Sequence, residues 1–484
     1  MSVASATRPA SAPTGRRVTR LAVELLPPLV VALVILPFVI AYVRYWPWHP
    51  ATIDLEVYVY AVKDMLAGGD IFATKTPFWN LYFIYPPVAA VLMWPLAFGP
   101  YAMWQVLWTA GLVLAQQSVL ARCGVPRGWK RGLLGVAVVL AVEPIRTTLG
   151  YGQVNTLLMA LVVADLLPDR PGQRRRIPPG TLIGLAAAVK LTPALFVVFA
   201  FLLGRRALAL GAIGSFLAFS LLGAIFQFQR TVEFWTGLSG GDTRTASPLY
   251  TGNQSLLGVF FRLAGSSVAT TLAGLAVAGT VALLAVLVAA HWWQAGQRVF
   301  AVGLVGLATN LASPLSWTHH YVWILPLAVA VVLPYAGGQA GGLAAAAADQ
   351  GRSQTWSRSS ATVAAILSKP FDRLRANTPV PQPGRGPSRW RWWREAHVVL
   401  AEPHPARALP RWARGLAGFW VLWVCACLPL AVLPYGGGRE RSFTFGQSLV
   451  ANLGPTLGVV LVVGLAWQLV SQSRSDARVR TDAN

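Results

Sequence analysis

Apolar runs separated by short polar loops dominate the pattern of this chain. Runs of roughly 18 or more mainly apolar residues recur along it, which is the length an α-helix needs to cross a bilayer. The pattern predicts an all-α polytopic membrane protein with about twelve transmembrane helices. The predicted spans lie near residues 21–43, 101–121, 132–149, 154–168, 180–190, 192–203, 207–225, 268–290, 299–312, 321–335, 415–434 and 446–470.

Short arginine-rich loops fix the predicted orientation of these helices. Arg16, Arg17 and Arg20 precede the first run, and the loop "ARCGVPRGWKR" follows the second. Because basic residues favour the cytoplasmic side, both termini are predicted to lie inside. The segment 85–98 is short and interrupted by Pro95, so it predicts a re-entrant or interfacial helix. If the segment 85–98 crossed the membrane, the basic loop "ARCGVPRGWKR" would lie outside.

The same pattern divides the chain into five predicted regions. A catalytic transmembrane domain is the largest, and its first outer loop is expected to carry short interfacial helices. A long Arg/Pro-rich cytoplasmic loop lacks sustained periodicity and is predicted to be disordered. In order, the regions are a cytoplasmic tail at 1–20, the catalytic domain at 21–335 with outer loop 44–84, the basic loop at 336–414, C-terminal transmembrane helices at 415–471, and a cytoplasmic tail at 472–484.

Amino-acid composition supports the membrane prediction and reduces the number of possible functions. Hydrophobic residues make up 55% of the 484 positions and charged residues only 12%, whereas a soluble domain carries about a quarter charged residues. The net charge of +23 lies in loops between apolar runs, which favours membrane orientation over nucleic-acid binding. Cys123, Cys425 and Cys427 form neither a disulfide framework nor a metal-ligand pattern.

Unusual polar residues gather on the predicted outer side of the membrane. A charged side chain at a helix centre costs about 2.5–3.5 kcal/mol on insertion scales, so several in one leaflet predict a shared cavity. The residues are Asp54, Tyr85, Arg146, Gln153, Asn155, Lys190, Asn253, Gln254, His319 and His320.

Asp54 opens a segment whose apolar residues follow the spacing of an interfacial amphipathic helix. At the N-terminus of that helix, backbone N–H groups are expected to keep its carboxylate ionised. A plain N-cap is the alternative interpretation. His319 and His320 can bind an anion such as phosphate or serve as interfacial side chains, and Lys190 can equally be a snorkelling lysine.

No nucleotide-binding motif occurs in the sequence: it has no P-loop and no Gly-rich strand–helix turn. A site outside the cytoplasm also has no access to ATP or nucleotide sugars. An energy-rich donor must therefore reach it through the membrane, attached to a lipid. The pattern calls for neither a metal nor a cofactor.

Six segments resemble a known family in their order along the chain. They are "DLEVYVYAVKDMLAGGDIF", "YPPVAAVLMWPLA", "EPIRTTLGYGQVNTLLMALVVAD", "GLAAAVKLTPALFVVFAFLLGRR", "GNQSLLGVFFRL" and "SPLSWTHHYVWILP". Together they resemble the actinobacterial polyprenol-phosphate-mannose-dependent α-mannosyltransferases, which have the C-type glycosyltransferase fold and act on phosphatidylinositol mannosides. The segment 349–411 has no counterpart in that pattern.

The resemblance implies a membrane mannosyltransferase that moves mannose from polyprenyl-phosphate-mannose to a glycolipid hydroxyl with inversion. Asp54 is then the general base. His319, His320, Lys190 and Arg146 are the candidate ligands of the donor phosphate. The expected substrate-binding residues are Tyr85, Gln153, Asn155, Asn253 and Gln254.

The expected location is the plasma membrane, with the site on the extracytoplasmic side and membrane lipids around it. Three alternatives remain open at this point: transfer of another sugar such as arabinose, a lipid-linked sugar transporter or flippase, and a non-catalytic subunit.

Overall fold

The computed structural model describes residues 14–35, 52–167, 177–237, 247–333 and 408–482. Within these ranges the protein is helical, with isolated β-bridges pairing Lys75 with Tyr82 and Asn253 with Trp317. Most of the predicted basic loop 336–414 lies outside the described residues, as does most of the predicted tail 1–20. The predicted division of the chain into regions stays a prediction.

The helices are named in chain order. The N-terminal half contains α1 (Thr14–Val30, continued by a π-helical turn at Val31–Ile35), α2 (Ile53–Leu66), α3 (Pro87–Leu92), α4 (Tyr101–Arg122), α5 (Trp129–Ala141), α6 (Glu143–Tyr151), α7 (Asn155–Leu166), α8 (Thr181–Val189), α9 (Leu195–Leu202) and α10 (Arg206–Phe226). The remainder contains α11 (Phe228–Gly237), α12 (Leu256–Ala264), α13 (Val268–Gln294), α14 (Arg298–Ala312), α15 (Ile324–Val332), α16 (Arg411–Ala426), α17 (Leu428–Val432) and α18 (Phe445–Asp482). Short 3₁₀ helices occupy Trp94–Ala97, Thr192–Ala194, Thr318–Trp323 and Arg439–Ser442.

Four helical segments in the described ranges are long and apolar enough to cross a membrane. They are Val18–Ile35, Arg206–Phe226, Val268–Gln294 and Phe445–Gln472, and the bent pair α5–α6 makes a fifth if it counts as one span. The protein is therefore a polytopic membrane protein. Several other predicted spans appear as shorter apolar helices, such as Asn155–Leu166 and Arg298–Ala312, so the count of twelve stays a prediction.

The predicted span near 132–149 is bent by 78° between α5 and α6. Val142 has an extended backbone and Pro144 lies in the first turn of α6. Because proline lacks the N–H that would continue the preceding helix, the chain ends α5 and restarts in a new direction. The bend carries α6 toward the polar residues described below.

The predicted span near 415–434 is also interrupted. Cys427 has a left-handed backbone with φ 49° and separates α16 from α17, which begins just before Pro429. A non-glycine residue in this conformation disfavours continued helix, and proline cannot extend one from before. The chain therefore turns here, before the loop that leads to α18.

The segment 85–98 forms a short helix and not a span, as its length predicts. α3 ends at Leu92, and a 3₁₀ turn containing Pro95 follows it. α2 lies next to this pair and buries one side, including Leu55, Tyr58 and Val62, which follows the predicted amphipathic spacing.

Helices of the C-terminal region pack directly on the rest of the protein. α16 contacts α6 and α15, and α18 contacts α13. Trp420 is buried, and its indole N–H donates to the Gly454 carbonyl oxygen at 3.0 Å while its ring lies 5.9 Å from that of Tyr321. The last three helices therefore share one core with the helices that carry the candidate site.

Candidate active site

The start of α2 is docked on the turn that follows α6. The Thr52 backbone N–H donates to the Gly150 carbonyl oxygen at 2.9 Å. Gly152 has φ 67°, and a Cβ there would lie 2.7 Å from the Leu55 Cβ. Only glycine meets both demands, because it tolerates positive φ and leaves room for the neighbouring helix. This close approach brings Asp54 next to Gln153.

Gln153 joins Asp54 to two buried tyrosines. Its amide nitrogen donates to Asp54 Oδ2 at 3.1 Å. Its amide oxygen accepts from the hydroxyls of Tyr58 at 2.9 Å and Tyr85 at 2.7 Å. The same oxygen also accepts from the Val154 backbone N–H at 3.0 Å. Since three donors hold the oxygen, the NH₂ group is held toward the carboxylate.

Sequence analysis missed Tyr58 as part of this site. Tyr58 lies one helical turn after Asp54 on α2, so the two share a helix face, and this i, i+4 spacing was the available signal. Its ring also packs edge-on against that of Tyr85, with centroids 5.4 Å apart.

Burial changes the acid–base character of Asp54. Desolvation raises the pKa of its carboxyl from 3.8 to about 7, although the Lys190 charge and the Gln153 hydrogen bond each lower it in part. The N-cap position is occupied by Thr52, whose side chain makes no capping bond, so Asp54 is not the plain N-cap of α2. Helix N–H groups were expected to keep this carboxylate ionised, but desolvation acts against them and leaves Asp54 only partly ionised near neutral pH.

Lys190 directly follows α8 and lies close enough to Asp54 for their charges to interact. Its ammonium nitrogen donates to Asn155 Oδ1 at 2.9 Å and lies 3.2 Å from His320 Nε2. It also lies 5.5 Å from the centre of the Tyr85 ring, within the range of a cation–π contact. These fixed contacts with the protein make a plain snorkelling role a poor description of Lys190.

The backbone of the Thr318–Trp323 helix is fixed by two side chains from α6 and α7. The His319 carbonyl oxygen accepts from Thr148 Oγ1 and from Asn155 Nδ2, each at 3.0 Å. The His319 ring packs edge-on against Tyr151, with centroids 5.3 Å apart. Asn155 thus binds Lys190 through its oxygen and the histidine segment through its nitrogen.

The buried carboxyl group of Glu143 contacts the first residue of the same 3₁₀ helix, Thr318. Glu143 Oε1 accepts from Thr147 Oγ1 at 2.8 Å and from Thr318 Oγ1 at 3.1 Å. Glu143 is fully buried at the start of α6. Sequence analysis did not single it out, because nothing in the linear pattern connects residue 143 with residue 318.

Asn253 and Gln254 hold two loops together. Asn253 Oδ1 accepts from the backbone N–H of Ser316 at 3.0 Å, and the Gln254 backbone N–H donates to the Ser316 carbonyl oxygen at 2.7 Å. The Gln254 side chain donates to the carbonyl oxygens of Thr251 and Ala451. These contacts use the amides that were predicted to bind substrate, and that role stays a prediction.

Arg146 lies on α6, close enough to the Glu143 carboxyl for their charges to interact. Its Nη1 donates to the Leu140 carbonyl oxygen at 2.8 Å. Its role as a phosphate ligand stays a prediction. Hydrogen bonds and the cation–π contact between Lys190 and Tyr85 join seven of the predicted residues into one cluster: Asp54, Tyr85, Gln153, Asn155, Lys190, His319 and His320.

Across the described ranges, no group of three or more His, Cys, Asp or Glu side chains is arranged to hold a metal ion. The chemistry that this cluster offers is that of one carboxyl of raised pKa facing a lysine and two imidazoles. Such an arrangement can accept a proton on one side and bind an anion on the other.

Comparisons with known proteins identify the family of this chain. Residues 83–314 match glycosyltransferase family 87. The chain is 30% identical over 318 residues to a polyprenol-phosphate-mannose-dependent α-(1-2)-phosphatidylinositol mannoside mannosyltransferase of Mycobacterium tuberculosis, an alignment that covers 59% of this chain and 71% of the relative. The chain belongs to glycosyltransferase family 87.

A second relative gives a similar result. A polyprenol-phosphate-mannose-dependent α-(1-2)-phosphatidylinositol pentamannoside mannosyltransferase of Mycolicibacterium smegmatis is 30% identical over 332 residues, which cover 66% of this chain and 78% of the relative. No solved structure gives a significant match. The chain is therefore a membrane glycosyltransferase, as its six motifs predicted. The segment matched to family 87 includes Gln153, Asn155 and Lys190, while Asp54 lies before it and His319 just after it.

Proposed function

We propose that this protein transfers mannose from polyprenyl-phosphate-mannose to a hydroxyl of a phosphatidylinositol mannoside or a related glycolipid. The names of the relatives supply the donor and acceptor classes and an α-(1-2) linkage. The observation that carries the proposal is the Asp54 carboxyl, held by Gln153 and facing the group formed by Lys190 and His320.

Asp54 is the general base in this proposal. Its ionised carboxylate accepts the proton of the acceptor hydroxyl while that oxygen attacks the anomeric carbon of mannose. A positioned base contributes about 100- to 10,000-fold in rate, and a pKa near the working pH gives the best compromise between ionisation and basicity. The value of about 7 for Asp54 fits that requirement.

Lys190, His319 and His320 receive the leaving group. The bond between the anomeric carbon and the phosphate oxygen breaks, and negative charge grows on polyprenyl phosphate. Fixed donors aimed at that charge stabilise the transition state without reorganising. Since the acceptor attacks from the face opposite to the phosphate, the anomeric centre inverts, and a β-linked mannosyl phosphate gives an α-mannoside. Arg146 is a further candidate for this role.

The proposed membrane arrangement is that of a C-type glycosyltransferase. About twelve helices cross the plasma membrane, α2 and α3 lie along the outer interface, and the cluster faces the extracytoplasmic side. The apolar side chains of α10 support contact with lipid, since Leu210, Leu217 and Leu221 are all about 60% exposed.

The decisive test is product formation by the purified protein. The protein is incubated with mannosyl phosphoryl polyprenol and a panel of phosphatidylinositol mannosides, and products are identified by mass and by α-mannosidase digestion. The expected product gains one α-linked mannose, and Asp54→Asn should abolish it. Movement of labelled donor across a vesicle membrane without product would instead identify a flippase, and transfer restricted to a pentose donor would identify another sugar specificity.

A further inference from the structure

A short loop from the C-terminal region is attached to the side of the candidate site. It comprises the turn at Gly436–Gly438 and the 3₁₀ helix Arg439–Ser442, between α17 and α18. Glu440 in this loop is only 3% exposed. Its Oε1 accepts from the backbone N–H groups of Gly436 at 2.7 Å and Thr251 at 3.3 Å. The buried carboxylate therefore fixes the loop against the segment that contains Asn253.

Anchoring Glu440 leaves its two neighbours at the surface. Arg439 and Arg441 are both exposed. Within the described part of the chain, neither forms an ion pair, since the nearby Glu440 is turned inward to backbone donors. The loop thus presents two guanidinium groups that lack a carboxylate partner among those residues.

The position of these arginines is unusual for a membrane protein. The loop joins two C-terminal helices on the side where the Asp54 cluster lies, which is the proposed outer side. Arginine normally accumulates on the cytoplasmic side, so a pair outside calls for a specific role. Guanidinium groups bind phosphate oxygens through paired N–H donors, which makes a phosphodiester the natural ligand.

Half-buried aromatic rings connect the loop with the cluster. The Tyr250 ring lies edge-on to those of Trp317 and Tyr435, with centroids 5.7 Å apart in both pairs. Trp317 precedes His319 by two residues, and Tyr435 directly precedes the glycine turn. Aromatic faces of this kind pack against the C–H groups of sugar rings. A sugar chain lying on them would extend from the loop toward the segment that carries His319.

We propose that Arg439 and Arg441 bind the phosphodiester of the anionic lipid acceptor, with its inositol and mannose rings lying along Tyr250, Trp317 and Tyr435. This inference rests on the proposed function. The reaction brings two lipid phosphates to one site. The donor phosphate must lie at the reacting carbon, near Lys190, whereas the acceptor phosphate is separated from the reacting hydroxyl by its own sugars and requires a second cationic site.

The test measures the KM of two acceptors in the wild-type protein and in the double variant Arg439→Gln/Arg441→Gln. Phosphatidylinositol dimannoside carries the phosphodiester, and an alkyl dimannoside of similar chain length carries no charge. The variant should raise the KM of the anionic acceptor about 5- to 30-fold, the effect of losing two exposed charge-assisted contacts. Its donor KM and its KM for the neutral acceptor should stay within about twofold of wild type.

The matched control is Arg411→Gln, which removes an exposed arginine at the other end of α16. Its KM for the anionic acceptor should not change. The proposal is overturned if the double variant leaves that KM unaltered or weakens both acceptors equally. It is also overturned if phosphatidylglycerol competes as strongly as phosphatidylinositol dimannoside, because the loop would then bind any anionic lipid.

A binding measurement separates this inference from the proposed function. Labelled phosphatidylinositol dimannoside in nanodiscs is titrated with the Asp54→Asn protein, with and without the two arginine substitutions. Weaker binding without the arginines supports their role in acceptor binding, even when no turnover is measured. Equal binding rejects the role of the arginines in acceptor binding. A wild-type protein that transfers mannose to neither acceptor rejects the proposed function instead.

Discussion

The Gln153 amide nitrogen lies 3.1 Å from Asp54 Oδ2, a contact between residues that are 99 positions apart. Tyr58 and Tyr85 hold the other end of the same amide. The carboxylate is therefore oriented by a buried network in which each hydrogen-bond partner is itself held. Such preorganisation lets a base act without reorganising its surroundings during the reaction.

Removal of the base should stop catalysis while leaving donor binding intact. Asp54→Asn keeps the size of the side chain and can still bind Gln153, but it cannot accept a proton. The transfer rate should fall about 100- to 10,000-fold. Initial rates with radiolabelled donor and equilibrium donor binding test this together. A folded Asp54→Asn protein that transfers mannose at near wild-type rate would falsify the role of Asp54.

The raised pKa of Asp54 predicts the direction of the pH dependence. The ionised carboxylate is the active form, and it accumulates as the pH rises through about 7. Between pH 6 and pH 8, kcat/KM should rise about tenfold, because the ionised fraction rises from about 9% to about 91%. Lys190→Met removes a positive charge that lowers this pKa, so the midpoint should move to higher pH. A flat profile in both proteins contradicts the assignment.

The same pKa predicts a cost in stability. The folded-state value lies above the unfolded value of 3.8, so ionisation of Asp54 disfavours the folded protein as the pH rises from about 4 through about 7. Asp54→Asn should therefore be more stable than wild type at pH 8, by at most about 4 kcal/mol, and nearly equal to it at pH 4. Thermal unfolding in detergent at the two pH values measures this difference. A variant equally destabilised at both pH values argues against the buried charge.

Loss of the Tyr58 hydroxyl should affect the base through Gln153. Tyr58→Phe removes one of the bonds that hold the Gln153 oxygen, and kcat should fall about 5- to 30-fold. The midpoint of the pH profile should also rise, because the Gln153 bond lowers the pKa of Asp54. Tyr60→Phe on the same helix is the control, since Tyr60 is exposed. The Tyr58→Phe effect should disappear in a Gln153→Ala background, and additive losses contradict the network.

Substitution of the residues assigned to the donor phosphate should weaken donor binding more than acceptor binding. Lys190→Met, His319→Ala and His320→Ala each remove a group assigned to the leaving phosphate. The donor dissociation constant should rise about 5- to 100-fold, the loss expected for a charge-assisted contact. Lys63→Met removes an exposed lysine from α2 and serves as the control. Unchanged donor affinity in all three variants rejects this assignment.

Several elements could be read from the linear pattern because their physical causes are local. The amphipathic spacing of α2 and the interruption at Pro95 each depend on neighbouring residues, and both appear in the structure. The membrane character followed from apolar runs, since a helix in lipid must satisfy its own backbone. The six motifs indicated the family, because they are contiguous stretches of sequence.

The residues of the site are brought together by long-range contacts that no local sequence pattern predicts. Glu143 supports Thr318 across 175 positions, and Glu440 fixes the loop of Thr251 across 189. The raised pKa of Asp54 could not be predicted from the sequence, because its place in the first turn of a helix favours ionisation, whereas its burial in the folded chain raises the pKa. Sequence alone determined which segments are apolar and which polar residues are unusual among them. Only the tertiary structure decided which of those residues meet, because burial and distance arise from the packing of segments far apart along the chain.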